Sequence, residues 1–251
     1  MRVFGNYSKY YDLLYKDKDY EGEAEYISKL IKKYNPVNES ILELGCGTGK
    51  HAKILAEKGY KIHGIDSSQT MLQEALSIEN KNLFFEQSDV RTFRVNKKFN
   101  SVISLFHVAS YQNSNDDVIN YFKTAREHLN IGGLFIFDVW FAPCVLNEKP
   151  ERRVKELENE KIKVKRIAEP FHRVNENIID VNYKIEITDK KSNLQDFIQE
   201  KHSMRYFSFP EISLFCSLTG FELVAAEEWL TGNEPNENTW GVCFIARSLC
   251  E

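Results

Sequence analysis

The stretch Leu42-Glu43-Leu44-Gly45-Cys46-Gly47-Thr48-Gly49 decides how this chain is read. It follows Ile41, so a short apolar run leads directly into three alternating glycines. A helical pattern then carries Ala52, Ile54, Leu55 and Ala56 as far as Gly59. A strand, a glycine turn and a helix in that order form a ligand cradle. Glycine lets the backbone turn sharply and approach a ligand with no Cβ in the way, and the following helix presents unpaired N–H groups.

Outward from this turn, strands and helices alternate. Upstream, Ala24, Ile27, Leu30 and Ile31 recur at helical spacing between Glu21 and about Lys33. Downstream, Tyr60 to Asp66 reads as a second strand, with Ser67 or Ser68 capping a helix that contains Met71, Leu72 and Ala75. A third strand, Leu83-Phe84-Phe85, closes at Asp89, and a fourth runs from Phe99 to Phe106. A helix from Asp116 or Asp117 through Leu129 precedes Gly132-Gly133, which turns into a fifth strand, Leu134 to Asp138. Such alternation builds βαβ units on a parallel sheet. The nearly continuous apolar runs of strands one, four and five suit burial on both faces.

The pattern changes after Val139. Lys161 to Lys165, Ile178 to Ile187 and Phe197 to Tyr206 alternate with period two, the last two separated by the polar turn Thr188 to Asn193. These read as antiparallel strands with one wet face. Pro210 opens a helix that reaches Leu218 and ends at Gly220. Phe221 to Val224 and Val242 to Ala246 are the final strands. The expected organisation is a Rossmann-like ligand-binding core with a helical cap over residues 1–141, a β insertion over 142–209 acting as lid or substrate region, and a return to the core over 210–251.

Composition weighs against several function classes. A net charge of -4 and a pI near 6.0 give no basic field to hold nucleic acid or an anionic membrane. The segment Met1 to Tyr7 lacks the apolar core of a signal peptide, and no apolar run approaches the roughly 20 residues of a membrane span. Cys46, Cys144, Cys216, Cys243 and Cys250 form no C-x-x-C pair, and their odd number fits free thiols in a reducing cytoplasm. The histidines are scattered and no metal-ligand spacing occurs, so no metal is expected. A small-molecule substrate is expected, with oligomeric state left open.

The glycine turn alone admits two cofactors. Gly47-x-Gly49-x-x-Ala52 satisfies the dinucleotide pattern, so a nicotinamide enzyme competes. Asp66 ends strand two, where a carboxylate accepts from both ribose hydroxyls. Asp89 ends strand three, where it accepts from an adenine amine. The first suits either cofactor, whereas an acidic third-strand end after Glu43-x-Gly45-x-Gly47-x-Gly49 better suits S-adenosylmethionine (SAM). Met71 and Val90 are then apolar neighbours of the adenine.

The turn resembles the first motif of class I SAM-dependent methyltransferases, and the match extends over roughly residues 40 to 140. The resemblance implies a Rossmann-like α/β core with a mostly parallel seven-stranded sheet whose last strand is antiparallel, and SAM across the carboxyl ends of the strands. A narrower resemblance lies upstream. Tyr7-Ser8-Lys9-Tyr10-Tyr11-Asp12-Leu13-Leu14-Tyr15, followed by Lys18-Asp19-Tyr20, is similar to the N-terminal segment of enzymes that N-methylate nucleotide-linked aminodeoxysugars. Asp89-Val90-Arg91-Thr92-Phe93 resembles their Asp-Met-Arg-Asp-Phe, and Asp138-Val139-Trp140 their acid, one residue, then Trp. The C-terminal region departs, because Glu234 to Trp240 replaces their Gly-rich segment. The resemblance implies a SAM-binding role for Tyr20 together with Gly45, Gly47, Gly49, Asp66, Met71, Asp89 and Val90.

Methyl transfer from a sulfonium requires alignment and exclusion of water more than acid–base work. An amine acceptor must still lose a proton, for which a His, Tyr or water serves. His107 and Tyr111 follow strand four at the mouth of such a fold. With Tyr11 they are the catalytic candidates, and Tyr11 and Tyr15 are placed to close over the methionine moiety and acceptor. Trp140, Phe141 and Trp240 offer an aromatic wall for base or sugar. Arg166, on the strand face opposite Lys161, Lys163 and Lys165, offers a bidentate contact for a diphosphate. Each also has an ordinary reading: packing for the aromatics, capping for His107, a solvated face for the lysines. Methylation of the amine of a nucleotide-diphosphate aminodeoxysugar is the function these features favour. The alternatives are O-methylation of a sugar or small metabolite, or SAM binding without catalysis.

Overall fold

The computed structural model describes residues 13–37, 39–78 and 80–250. Asp19 caps α1 (Tyr20–Tyr34) by accepting from the Gly22 N–H, and Ser68 caps α3 (Gln69–Ala75) through the Met71 N–H. Between them lie β1 (Ser40–Leu44), α2 (Lys50–Glu57) and β2 (Lys61–Asp66). Next come β3 (Leu83–Gln87), β4 (Phe99–Ser104), α4 (Asn115–Glu127) and β5 (Leu129–Phe141). A short α5 (Ala142–Asn147) leads to four antiparallel strands: β6 (Arg153–Glu158), β7 (Ile162–Arg173), β8 (Ile178–Asp189) and β9 (Gln195–Phe207). The chain then forms α6 (Phe209–Leu218), β10 (Phe221–Glu228) and β11 (Gly241–Ser248).

The core sheet runs β3-β2-β1-β4-β5-β11-β10. The first five strands are mutually parallel, and β11 lies antiparallel between β5 and β10. Both faces are covered, as the apolar runs require. Along β5, Phe135, Phe137 and Val139 join Phe122, Phe215 and Phe244 on one face. Leu134 and Ile136 point the other way, into a layer with Ile27, Leu55 and Ile103.

The boundaries at the start of β5 differ from the sequence reading. The fourth-strand helix ends at Glu127 rather than Leu129, since His128 Nδ1 lies 2.7 Å from the Thr124 carbonyl oxygen and closes the last turn. Leu129 already pairs with Phe99, so β5 begins before Gly132-Gly133; these residues bend it, with Gly132 at φ +77° and a register shift beside them. In the insertion, β6 was not anticipated and β7 extends through Pro170. Proline has no N–H to donate, and it falls where β6, paired only as far as Ala168, has already ended.

The insertion docks by its inner face. β9 joins the end of β5 in parallel through Trp140–Tyr206 and Phe141–Phe207. Val164, Ile185, Ile187 and Ile198 pack with Leu14 and Met71, so the inserted sheet covers the carboxyl ends of the core strands from one side.

Candidate functional site

The glycine turn has the backbone its sequence demands. Gly45, Gly47 and Gly49 lie at φ +78°, +56° and +75°, where a side chain is strained. The Gly45 and Cys46 N–H groups both donate to the Ile65 carbonyl, at 2.8 and 2.9 Å, which binds the end of β1 to the end of β2. A Cβ at Gly45 would come within 2.6 Å of Val108, whereas one at Gly47 would meet none of the described residues within 4 Å. Gly45 is therefore a packing glycine, and among the described residues Gly47 has space suited to a ligand.

Two carboxyls lie beneath the turn. Asp66 accepts from the Gly47 N–H at 2.9 Å and the Ser68 N–H at 2.8 Å. Burial raises its pKa from the ordinary aspartate value although these backbone bonds oppose the rise. Glu43 is 1% exposed and its Oε2 has no hydrogen-bond partner among the described residues. Burial, with the neighbouring Asp66 carboxylate, pushes its pKa up to about 8. Asp89 is held differently. Arg91 donates to both of its oxygens, at 2.9 and 2.6 Å, and this pairing lowers its pKa; Arg91 also reaches Asp117 at 2.8 Å. Asp89 Oδ1 also accepts from the Arg91 N–H, so Oδ2 keeps the greater spare capacity for an amine. Val90 is half-buried beside the core, and Met71 is buried where α3 meets the inserted sheet. The Tyr20 ring lies 5.0 Å from that of His51, with Lys50 Nζ 4.9 Å from its centre.

Beyond β4 the backbone is strained. Phe106 and His107 take φ +67° and +63°, a conformation that non-glycine residues rarely adopt. The His107 N–H donates to the buried Asp138 carboxylate at 3.0 Å, and His107 Nδ1 lies 2.7 Å from Asp138 Oδ2. That anchorage overdetermines the turn, as strained functional segments require. A single 3-10 turn, Val108–Tyr111, then delivers Tyr111, whose hydroxyl lies 2.7 Å from His202 Nδ1 on β9. His202 Nε2 is 3.1 Å from Glu200 Oε2. The Arg166 guanidinium is centred 5.1 Å from the Tyr183 ring and 6.0 Å from that of Tyr15, and its Nη1 donates to the Tyr15 hydroxyl at 3.4 Å. Tyr183, whose pKa burial raises to about 12, meets the His202 ring edge-on at 4.9 Å.

Trp140 and Trp240 form a T-shaped pair at 5.3 Å, with the His107 ring 6.3 Å from Trp140. Phe141 does not join them. Successive strand residues face opposite sides, so Phe141 turns inward and is 7% exposed in the phenylalanine-rich core. Lys163 and Lys165 pair with Glu156 at 3.7 Å each, and Lys161 precedes the strand; the lysine stripe is a solvated face. Tyr11 lies outside the described residues. Among the described residues no group of three or more His, Cys, Asp or Glu could hold a metal, and no helix is long and apolar enough to cross a membrane.

The family model for a methyltransferase domain matches residues 17–226, nearly the whole of this architecture. The chain belongs to that methyltransferase family. A curated relative, the dTDP-3-amino-3,4,6-trideoxy-α-D-glucopyranose N,N-dimethyltransferase of Streptomyces venezuelae, is 31% identical over 135 residues, 53% of this chain and 56% of the relative. The chain thus matches about half the length of that protein. The Bacillus subtilis protein YqeM is 25% identical across 98% of this chain and 97% of its own length. Among solved structures, the sugar N-methyltransferase KedS8 of Streptoalloteichus superposes with a TM-score of 0.82 at 19% identity, covering 100% of this chain and 97% of that one. The fold is the class I methyltransferase fold.

Three residues that surround Tyr111 and Arg166 were not singled out from sequence: Tyr183, Glu200 and His202. A signal existed. In Ile198-x-Glu200-x-His202-x-Met204, two polar residues occupy the apolar phase of a strand, a placement that costs stability unless the groups are partnered or used.

Proposed function

We propose that this methyltransferase places a methyl group on the amine of a nucleotide-diphosphate-linked aminodeoxysugar. Its donor is S-adenosylmethionine, which supplies a methyl group already activated on a sulfonium. The residues present fit that cofactor: among the described residues the space at Gly47 is open and the buried Glu43 Oε2 has no hydrogen-bond partner, and Asp66 retains lone pairs for ribose hydroxyls. In this reading Gly45, Gly47 and Gly49 shape the cradle, Asp66 holds the ribose, and Asp89 with Val90 receives the adenine. Met71 and Tyr20 close its sides.

The observation that carries the acceptor assignment is one cluster. It joins Arg166, Tyr15 and Tyr183 with the Tyr111–His202 pair, beside the Trp140–Trp240 wall. A nucleotide-sugar needs a cation for its phosphates, a flat apolar surface for its base and a narrow polar mouth for its amine. The Streptomyces venezuelae relative, named for such an acceptor, supports the same assignment. Radiolabelled SAM with matched sugars provides the test. Methylation of the nucleotide-linked amine is expected to exceed that of the free aminosugar and of the matched hydroxyl sugar; equal rates on free and linked forms, or preference for the hydroxyl, would overturn it. A hydroxyl acceptor is the second reading, because Tyr111 and His202, whose hydroxyl and Nδ1 lie 2.7 Å apart, are residue types that serve as the base a hydroxyl needs.

Arg166→Ala is expected to raise KM for the nucleotide-sugar about tenfold with kcat little changed, since a remote phosphate contact contributes mostly uniform binding. Steady-state kinetics at saturating SAM check this. A fall in kcat with KM unchanged would remove Arg166 from the phosphate role.

A further inference from the structure

Residues 89–95 lie between β3 and β4, and their backbone is held by bonds of its own. The Asp89 carbonyl accepts from the Thr92 and Phe93 N–H groups at 3.1 and 2.9 Å, and Phe93 is buried in the core. Arg94 donates to the Thr124 hydroxyl on α4 at 2.7 Å, and the Val95 N–H donates to His128 Nε2 at 3.0 Å. The Arg91 side chain stands apart from that framework. It is 41% exposed and joins two carboxylates, Asp89 and Asp117. Exposed ion pairs contribute little to stability, so stability does not explain the arrangement.

What Arg91 fixes is the plane of one carboxylate. Its Nε and Nη2 meet the two Asp89 oxygens side-on at 2.9 and 2.6 Å, a fork that sets both position and tilt. Nη1 reaches the other way, to Asp117 Oδ1 at 2.8 Å. Asp117 is in turn set in the first turn of α4, where its N–H donates to Ser114 Oγ at 3.1 Å and its Oδ2 accepts from that hydroxyl at 2.8 Å. A carboxylate oxygen has two lone pairs. Asp89 Oδ1 commits both to Arg91, one to the backbone N–H at 2.8 Å and one to Nε. Oδ2 commits one, so among the described residues a single acceptor direction remains. The Arg91 hydrogen bonds also lower the Asp89 pKa, so the carboxyl stays ionised and offers an acceptor without a donor.

We propose that Arg91, braced by Asp117, is a positioning residue that makes Asp89 a selective reader of the purine 6-position, accepting an amine and rejecting a carbonyl. This rests on the placement of adenine at Asp89 proposed above and is independent of the methyl acceptor. The 6-amine of adenine donates one N–H into the remaining lone pair. A 6-oxo purine presents an oxygen there instead, and two facing acceptors leave the bond unmade. Rejection needs a fixed carboxylate. One free to turn could move off the carbonyl and accept the adjacent N1–H, which only the 6-oxo base carries.

Calorimetric titration of the full-length enzyme with S-adenosylhomocysteine and its deaminated 6-oxo counterpart, S-inosylhomocysteine, tests this. The wild type is expected to prefer the amine form about fiftyfold. Arg91→Lys keeps the charge without the fork and is expected to cut that preference about tenfold, chiefly by weakening the amine form. Asp117→Ala, which removes the brace without touching Asp89, is expected to cut it about threefold. A merely structural role would weaken both ligands alike and leave their ratio unchanged. That result, or an unchanged preference in both folded variants, would overturn the proposal. Should Arg91→Lys fail to fold, Asp117→Ala carries the comparison. Asp89→Asn separates the proposal from the reading beneath it, and is expected to abolish the preference. If the wild type prefers neither ligand, or Asp89→Asn keeps the preference, the adenine placement itself fails and the proposal with it.

Discussion

Asp66→Ala is expected to weaken SAM binding by at least about a hundredfold. The carboxylate has two tasks that no neighbour shares. It accepts the Gly47 and Ser68 N–H groups, fixing the turn against the cap of α3, and it retains the lone pairs proposed for the ribose. Hydrogen bonds to charged groups contribute roughly 1.5–3 kcal/mol each, so losing two at a ribose corresponds to a factor of a hundred or more. The alanine also leaves the Gly47 N–H unpaired. Titration calorimetry with SAM or its demethylated product checks this, and Asp66→Asn, which keeps an acceptor oxygen, is expected to fall between. Affinity within threefold of wild type for Asp66→Ala, or saturable NAD binding without SAM binding, would refute the assignment.

How far such a site can be read in advance depends on how local its physics is. The glycine turn and its two flanking carboxylates were legible because one crossover encodes them: apolar strand, φ-permissive glycines, helix, then acids at the next strand ends. The core sheet was legible for a similar reason, since alternation of buried strands and amphipathic helices leaves few topologies. The start of β5 was hidden because Leu129 is apolar in helical as well as strand phase and the Gly132-Gly133 pair imitates a turn. The Phe141 orientation was available from period two once Trp140 was placed at the mouth. The Tyr111–His202 contact was harder. Tyr111 and His202 are 91 residues apart, and their contact exists only because β9 docks on the end of β5 through Trp140–Tyr206 and Phe141–Phe207. Periodicity could mark Glu200 and His202 as misplaced polar residues, but could not name the partner across the fold.

The unliganded protein is expected to lose stability as pH rises from about 4.5 to about 8, and Glu43→Gln to remove most of that loss. Glu43 is fully buried and its pKa is pushed up to about 8 by burial first and by the Asp66 carboxylate second. In the unfolded chain it titrates near the ordinary value of about 4.3. Below that value the carboxyl is protonated in both states and contributes no pH dependence. Between the two values the native state keeps the proton and the unfolded state releases it, so fewer protons are bound on unfolding and stability falls with rising pH. Over the full window the loss is on the order of 4 kcal/mol, at about 1.4 kcal/mol per pH unit. Asp66, also raised by burial, adds to the same trend from lower pH. Glutamine reproduces the size of the neutral carboxyl without a group to ionise, so the variant is expected to be the more stable at pH 8 and nearly equal to wild type at pH 4.5. Urea denaturation midpoints at the two pH values decide the matter; equal slopes with pH in wild type and variant would mean that Glu43 is ionised in the folded protein. A carboxyl that weakens the unliganded fold at neutral pH is explained by its position at the end of β1, just before the turn where the cationic donor is proposed to bind, with an oxygen that has no hydrogen-bond partner among the described residues. A positive ligand there favours the carboxylate, so SAM binding to the wild type near pH 7 is expected to release protons. Binding to Glu43→Gln is expected to release fewer, as calorimetry in buffers of different ionisation enthalpy would show.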